Sequence, residues 1–311
     1  GMMQYSLYNG KYMLNPYFPS ASNIIIYNKT LMEAKGVSMP DAEALLADPD
    51  ASGWTWDAFK AAAKAVTDEA SGIYGFATNS LDPVGMMLQQ GGALYNSSVT
   101  ELKFVGDERF AKGLEFWRSL VTEGCMLNPN SRSNHGTVIV SEFYEQKVGM
   151  IYTTSSNIVK FTKEAKDAGF EIGVLPFPKE TQFFTNQGGS GIIILDNKPA
   201  EEQEAAAEFL RWLNTAGNDA YMCAVSGYMP VVTAAMDEEA LKEVYAATPL
   251  LKTATELMQF GITSPQGKAK AACDKAINDY CKLIWSELDT SIDRIVKQVT
   301  SKAQYEIEAN Q

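Results

Sequence analysis

At 311 residues the chain exceeds the size at which a single core keeps growing, so two cores are expected. Its 26 Lys and Arg against 38 Asp and Glu give a net charge of −12, which repels phosphate backbones and anionic membrane surfaces and leaves no nucleic-acid partner expected. A composition of 46% hydrophobic and 21% charged residues excludes large-scale disorder, and no apolar run approaches the ~20 residues that span a bilayer.

Gly1-Met2-Met3 reads as an expression remnant and a nominal start, with no basic-then-apolar signal region behind it. Asn23 to Asn28 is a short β-branched run that predicts a buried strand. Thr55 caps a predicted helix with Asp57 in its first turn and Phe59, Ala62, Ala63 and Val66 on its apolar face. Gly72 and Gly75 flank a turn into a strand at Phe76-Ala77, and Val84 to Gln90 predicts a helix ended by Gly91-Gly92. Leu94 to Ser98 follows as an exposed, hairpin-like excursion.

Glu108 to Val121 spaces Phe110, Leu114, Trp117 and Leu120 or Val121 as a helical core stripe. Val148 to Thr153 and Ile172 to Leu175 read as buried strands. Glu201 to Asn214 is an amphipathic helix with Ala205, Phe209, Trp212 and Leu213 on its apolar face and acids at its start. Lys268 to Leu288 repeats the pattern, and a last helix begins at Thr290 with Asp293 in capping-box position. Alternating short strands and helices predict an α/β fold with largely parallel sheets.

Cys125, Cys223, Cys273 and Cys281 form no CxxC pair and have no histidine at metal-ligand spacing, so buried free thiols are expected and no metal or cofactor. Cys273 and Cys281 sit on one predicted helix with a rise of ~12 Å between them, too far for a disulfide. His135 lies in a loop-like Ser-Asn-His-Gly context without a Gly-x-Ser-x-Gly elbow. Glu201-Glu202 and Glu238-Glu239 read as solvated helix surface, which leaves catalysis without a foothold.

Several phrases, in order, resemble the family 1 extracellular solute-binding proteins of carbohydrate ABC importers, the group of maltose-binding and glycerol-3-phosphate-binding type. They are Tyr8-Asn9-Gly10-Lys11 with Asn23 to Lys29, Thr55-Trp56-Asp57-Ala58-Phe59, Gln90-Gly91-Gly92-Ala93-Leu94-Tyr95 and Val148-Gly149-Met150-Ile151. The last is Ala206 to Leu213 followed by Ser226-Gly227-Tyr228-Met229-Pro230-Val231. The resemblance implies an α/β, periplasmic-binding-protein type II-like two-lobe fold that closes on a solute. It implies that 1–17 and 191–244 are what remains of lobe 1, truncated at its start, and that 18–190 and 245–311 make a nearly complete lobe 2. An incomplete lobe exposes apolar surface, so self-association is expected.

The resemblance also implies the candidate solute contacts. Ser20 and Ser22 lie at the first crossover, with strand-start capping as the plain alternative. Ser155, Ser156 and Asn157 stand in the family's ligand loop, where small polar residues replace a tryptophan and favour a compact polar solute. Gly188 and Gly189 match the second crossover, where bare amides face the ligand and hinge flexibility is the alternative. Tyr228 matches a ligand-facing tyrosine, with core packing as its competitor. Lys268 aligns with a phosphate-gripping arginine but supplies a point charge instead of a planar fork, and a solvated helix-start lysine is the simpler reading. Asn79 and Gln89 complete a polar lining, against plain surface placement.

Three functions follow as expectations. The first is a non-catalytic binding component that delivers a sugar, polyol or sugar-phosphate-like solute to ABC permease subunits, as an extracytoplasmic protein or cell-surface lipoprotein. The others are a non-transport sensor or interaction fragment and a carbohydrate-active enzyme.

Overall fold

The computed structural model describes residues 6–8, 10–131, 133, 135–262 and 264–310. Gly1 to Met3, Asn9 and Asn134 lie outside the described residues. The main strands are β1 (Asn15–Asn28), β2 (Tyr74–Ala77), β3 (Val148–Thr154), β4 (Ile172–Pro176), β5 (Thr185–Ile192) and β6 (Gly261–Ile262). The longer helices are α1 (Trp56–Val66), α2 (Glu108–Thr122), α3 (His135–Tyr144), α4 (Ile158–Asp167), α5 (Ala200–Leu213), α6 (Ala216–Ser226), α7 (Glu239–Ala247), α8 (Pro249–Glu256), α9 (Lys270–Cys281) and α10 (Ile292–Ala309).

The chain divides into two compact units. One comprises Gly1–Ile24, Thr153–Lys163 and Thr185–Ser264; the other comprises Ile25–Tyr152, Glu164–Phe184 and Pro265–Gln311. These divisions differ from the expected 17/18, 190/191 and 244/245. Residues 15–22 of β1 pair with β5, and β6 pairs with β5 in parallel, so both stretches belong with the first unit.

In the second unit, β2 and β3 run parallel with Phe76 opposite Met150. Helix α1 packs on β2, and its cap is the predicted one: the Thr55 side chain accepts from the Ala58 amide. Trp56, Phe59, Ala63 and Val66 recur at helical spacing and are all buried. Aromatic rings dominate this core, with Trp117 stacked on Phe177 at 5.2 Å and Trp56 on Phe116 at 4.4 Å between centroids. The four cysteines are free and buried, and burial pushes the Cys273 thiol up to about 11.

Some expectations change. Leu94 and Tyr95 are buried rather than exposed, because Tyr95 bridges to Leu102 and its hydroxyl donates to Asp274 at 2.9 Å. His135 opens helix α3 and is buried, not in a loop. Ser291, not Thr290, caps α10, its hydroxyl accepting from the Arg294 amide at 3.3 Å. The pairing of β1 with β5 is antiparallel, while β2 with β3 and β5 with β6 run parallel as expected.

The first unit has a leaner interior. Its core gathers Ala220, Cys223, Ala235 and Leu241 around helices α6 and α7, with Val232 and Tyr245 against it. Helix α5 forms as predicted but buries none of its residues, and Phe209 and Trp212 stack on each other at 5.8 Å while each is 55% exposed. Ile193, Ile194 and Leu195, just beyond β5, are also exposed. The amphipathic stripe is therefore real as a pattern but lacks a covering layer within the described residues. No helix among the described residues is long and apolar enough to cross a membrane.

Candidate functional site

The first unit brings eight of the expected contacts onto a short stretch of β1. Ser20 pairs across the sheet with Gly188 and Ser22 with Asn186, so the two serines, two residues apart, share one face of the strand. Their hydroxyls converge on Gly188: a Cβ there would lie 2.5 Å from Ser22 Oγ and 3.1 Å from Ser20 Oγ. Only a glycine leaves that space open, and the hydroxyls of buried Ser20 and half-buried Ser22 lie beside its bare backbone.

A bulge shapes the adjoining surface. Tyr17 pairs with Ser190 and Ser20 with Gly188, which leaves Phe18 and Pro19 opposite the single residue Gly189. The strain is carried by Phe18 at φ 55° and Gly189 at φ 135°. Pro16, Tyr17, Pro19 and the run Gln187 to Ser190 line a small, shallow depression at this bulge.

Two loops meet the other side of the same stretch. The Ser155–Asn157 turn is tied to β1 because Ser155 Oγ accepts from the Ala21 amide at 3.0 Å and Thr154 Oγ1 donates to the Ala21 carbonyl at 3.1 Å. Ser155 is fully buried and its oxygen is used by the fold, so it fixes the turn. Ser156 and Asn157 remain half-buried, the Asn157 amide donating to Thr153 Oγ1 at 2.9 Å.

The second loop follows α6, which ends on Gly227 at φ 74° in the left-handed C-cap conformation. A Cβ on Gly227 would stand 3.3 Å from the Ser156 carbonyl oxygen, which places the two loops side by side. Tyr228 is half-buried with its ring edge-on to Phe18 at 5.3 Å, and the Met229 amide donates to the Pro19 carbonyl at 2.8 Å.

Beneath this loop lies Asp219, 2% exposed, whose Oδ2 accepts from the amides of Val231 and Val232, each at 2.8 Å. Burial holds its carboxyl above the usual range, against the lowering effect of those two bonds. Burial, and then Asp219, raise the Cys223 thiol to about 12; burial, and then Asp219 and Cys223, raise the Tyr17 hydroxyl. Sequence reading missed Phe18 and Asp219. The available signal for Asp219 was an acid one turn before Cys223 on an otherwise apolar helix row.

Three expected contacts belong to the second unit. Asn79 is exposed and packs against Gly136 at the start of α3. Gln89 is buried, with Oε1 accepting from Trp56 Nε1 at 3.3 Å and its carbonyl from the Thr181 amide at 2.8 Å, so its polar groups brace the core. Lys268 is exposed in the turn before α9.

Comparison with known proteins settles the family. A model of bacterial extracellular solute-binding proteins matches residues 3–253. The chain belongs to this family. No curated protein matches the sequence. Among solved structures, an ABC substrate-binding protein of Listeria monocytogenes in complex with cycloalternan is 20% identical, with a TM-score of 0.81 over 99% of this chain and 74% of that one. The cyclic alpha-maltosyl-1,6-maltose binding protein of Arthrobacter globiformis is 21% identical, with a TM-score of 0.77 over 99% and 75%. UgpB of Mycobacterium tuberculosis, in complex with glycerophosphocholine, is 18% identical, with a TM-score of 0.77 over 99% and 74%. At these identities the likeness establishes the fold, that of the two-lobed solute-binding proteins.

Proposed function

We propose that this chain is the solute-capturing component of an ABC importer, binding a sugar, polyol or sugar-phosphate-like solute and releasing it unchanged to permease subunits. The observation that carries the reading is the convergence of Ser20, Ser22, Gly188, Gly189, Ser156 and Tyr228 around residues 18–22 of β1 in a member of this family. Hydroxyls, an exposed glycine backbone and an aromatic ring are the groups that recognise a hydroxylated ring or chain. Asn157 adds a polar side chain at the edge of the same cluster. The neighbours named above were solved with, or are named for, cycloalternan, cyclic alpha-maltosyl-1,6-maltose and glycerophosphocholine, which supports this solute class.

Binding without chemistry is part of the proposal, as is an extracytoplasmic location, which membership of an extracellular family supports. The outward-facing Phe209 and Trp212 support self-association.

The test is a thermal-shift screen of sugars, polyols and phosphoesters, followed by chromatographic recovery of any hit. A ligand that binds the native state at 100 times its Kd adds ~2.7 kcal/mol of stability. The expected result is a concentration-dependent rise in Tm with the solute recovered intact. No shift from any member at millimolar concentration refutes solute capture, and a converted product refutes the non-catalytic reading.

A further inference from the structure

The loop that carries Tyr228 has four amides between residues 228 and 232, because Pro230 has none. The Tyr228 amide donates to Ser226 Oγ at 3.3 Å and the Met229 amide to the Pro19 carbonyl at 2.8 Å. The remaining two, on Val231 and Val232, both end on Asp219 Oδ2. A single buried oxygen therefore holds the downstream end of the loop, while the Gly227 cap and the bond to Pro19 hold the upstream end.

The placement of an acid here is costly and specific. Asp219 is 2% exposed, and among the described residues no lysine or arginine pairs with it. A buried carboxylate without a cation is tolerated only where it satisfies donors that would otherwise be stranded. Bonds from neutral amides to a charged oxygen are about twice as strong as neutral ones, so the clamp is stiffer than an amide or hydroxyl would make it. Its mechanical output is the position of the Tyr228 ring against Phe18, beside the Ser156 turn.

We infer that Asp219 is a positioning residue for solute binding: its carboxylate clamps the 227–232 loop so that Tyr228 is held ready at the polar face of β1. The inference rests on the proposed solute capture and adds to it a residue that does not touch the solute. A pre-formed site binds more tightly than one that must order its loop on binding, because the ordering cost is already met.

Two substitutions grade the clamp. Asp219→Asn keeps one neutral oxygen, and Asp219→Ala removes the acceptor. Each is measured in two ways: amide hydrogen exchange at Val231 and Val232, and affinity for the solute with the largest shift in the thermal screen of the wild-type chain. The expected result is faster exchange at both amides and weaker binding in the same order, about threefold for Asn and tenfold or more for Ala. If Asp219→Ala does not fold, Asp219→Asn carries both readouts alone. Unchanged exchange at the two amides overturns the clamp, and faster exchange with wild-type affinity overturns its role in binding. Failure of the wild-type chain to bind any solute refutes the capture reading and with it the binding role, while the exchange measurement still decides whether the clamp exists.

Discussion

Replacing Gly189 with alanine tests the β-bulge on which the candidate site is built. The residue sits at φ 135°, a region essentially closed to side chains, and a Cβ there would lie 2.6 Å from the Phe18 carbonyl oxygen and 2.9 Å from Pro19 Cα. Both obstacles are backbone atoms and neither has a rotamer to escape into. The conformational cost is ~1–3 kcal/mol and the overpacking cost ~1–3 kcal/mol, so the variant is expected to lose about 2–6 kcal/mol. That is a large share of the roughly 5–15 kcal/mol that holds a domain together. Gly188→Ala is the control. The tight contacts of its Cβ are with the rotatable hydroxyls of Ser22 and Ser20, the Ser20 carbonyl oxygen lying at an ordinary 3.6 Å, and its φ lies outside the left-handed region. It is expected to cost less, about 1–3 kcal/mol. Urea unfolding followed by far-UV ellipticity measures both, with the shift in midpoint multiplied by the slope giving the free-energy change. A Gly189→Ala variant within about 0.5 kcal/mol of wild type, or more stable than Gly188→Ala, refutes the reasoning.

Two further predictions concern single hydrogen-bonded anchors. Ser155→Ala strands the buried Ala21 amide, which donates to Ser155 Oγ at 3.0 Å, and is expected to cost about 1–3 kcal/mol by the same urea assay. Asp107 caps α2 by accepting from the Arg109 amide at 3.0 Å, and it also pairs with the Arg109 guanidinium at 2.6 Å. The guanidinium bond, with the amide bond and the arginine charge behind it, holds this carboxyl below its usual range. A lowered folded-state value means that the stabilisation is present above the unfolded value, about 3.9, and is lost as pH falls through the folded one. The stability gap between wild type and Asp107→Asn in thermal unfolding is therefore expected to be open at pH 7 and to close below about pH 4.

Much of the second unit is legible in the sequence because its determinants are local. Thr55 sits three residues before the amide it caps, and the α1 and α2 stripes repeat at the helical period. Strand β3 shows as a β-branched and apolar run. The apolar run from Asn23 to Asn28 was readable as a strand, whereas the full length of β1 was not. Its first residues pair with β5, more than 160 positions away, and carry a bulge that no local rule announces.

By itself the sequence determined what depends on neighbours along the chain: where helices start, which of their faces are apolar, and the free, buried state expected of four scattered cysteines. Tertiary structure alone decided which faces find cover and which polar groups find partners. The Tyr95 hydroxyl ends on Asp274, the Gln89 side chain braces Trp56, and Asp219 clamps two amides past the end of its helix, while the α5 stripe with Phe209 and Trp212 meets solvent. The reason is physical: helical period and capping are written within one or two turns, but desolvation depends on atoms brought together from distant parts of the chain.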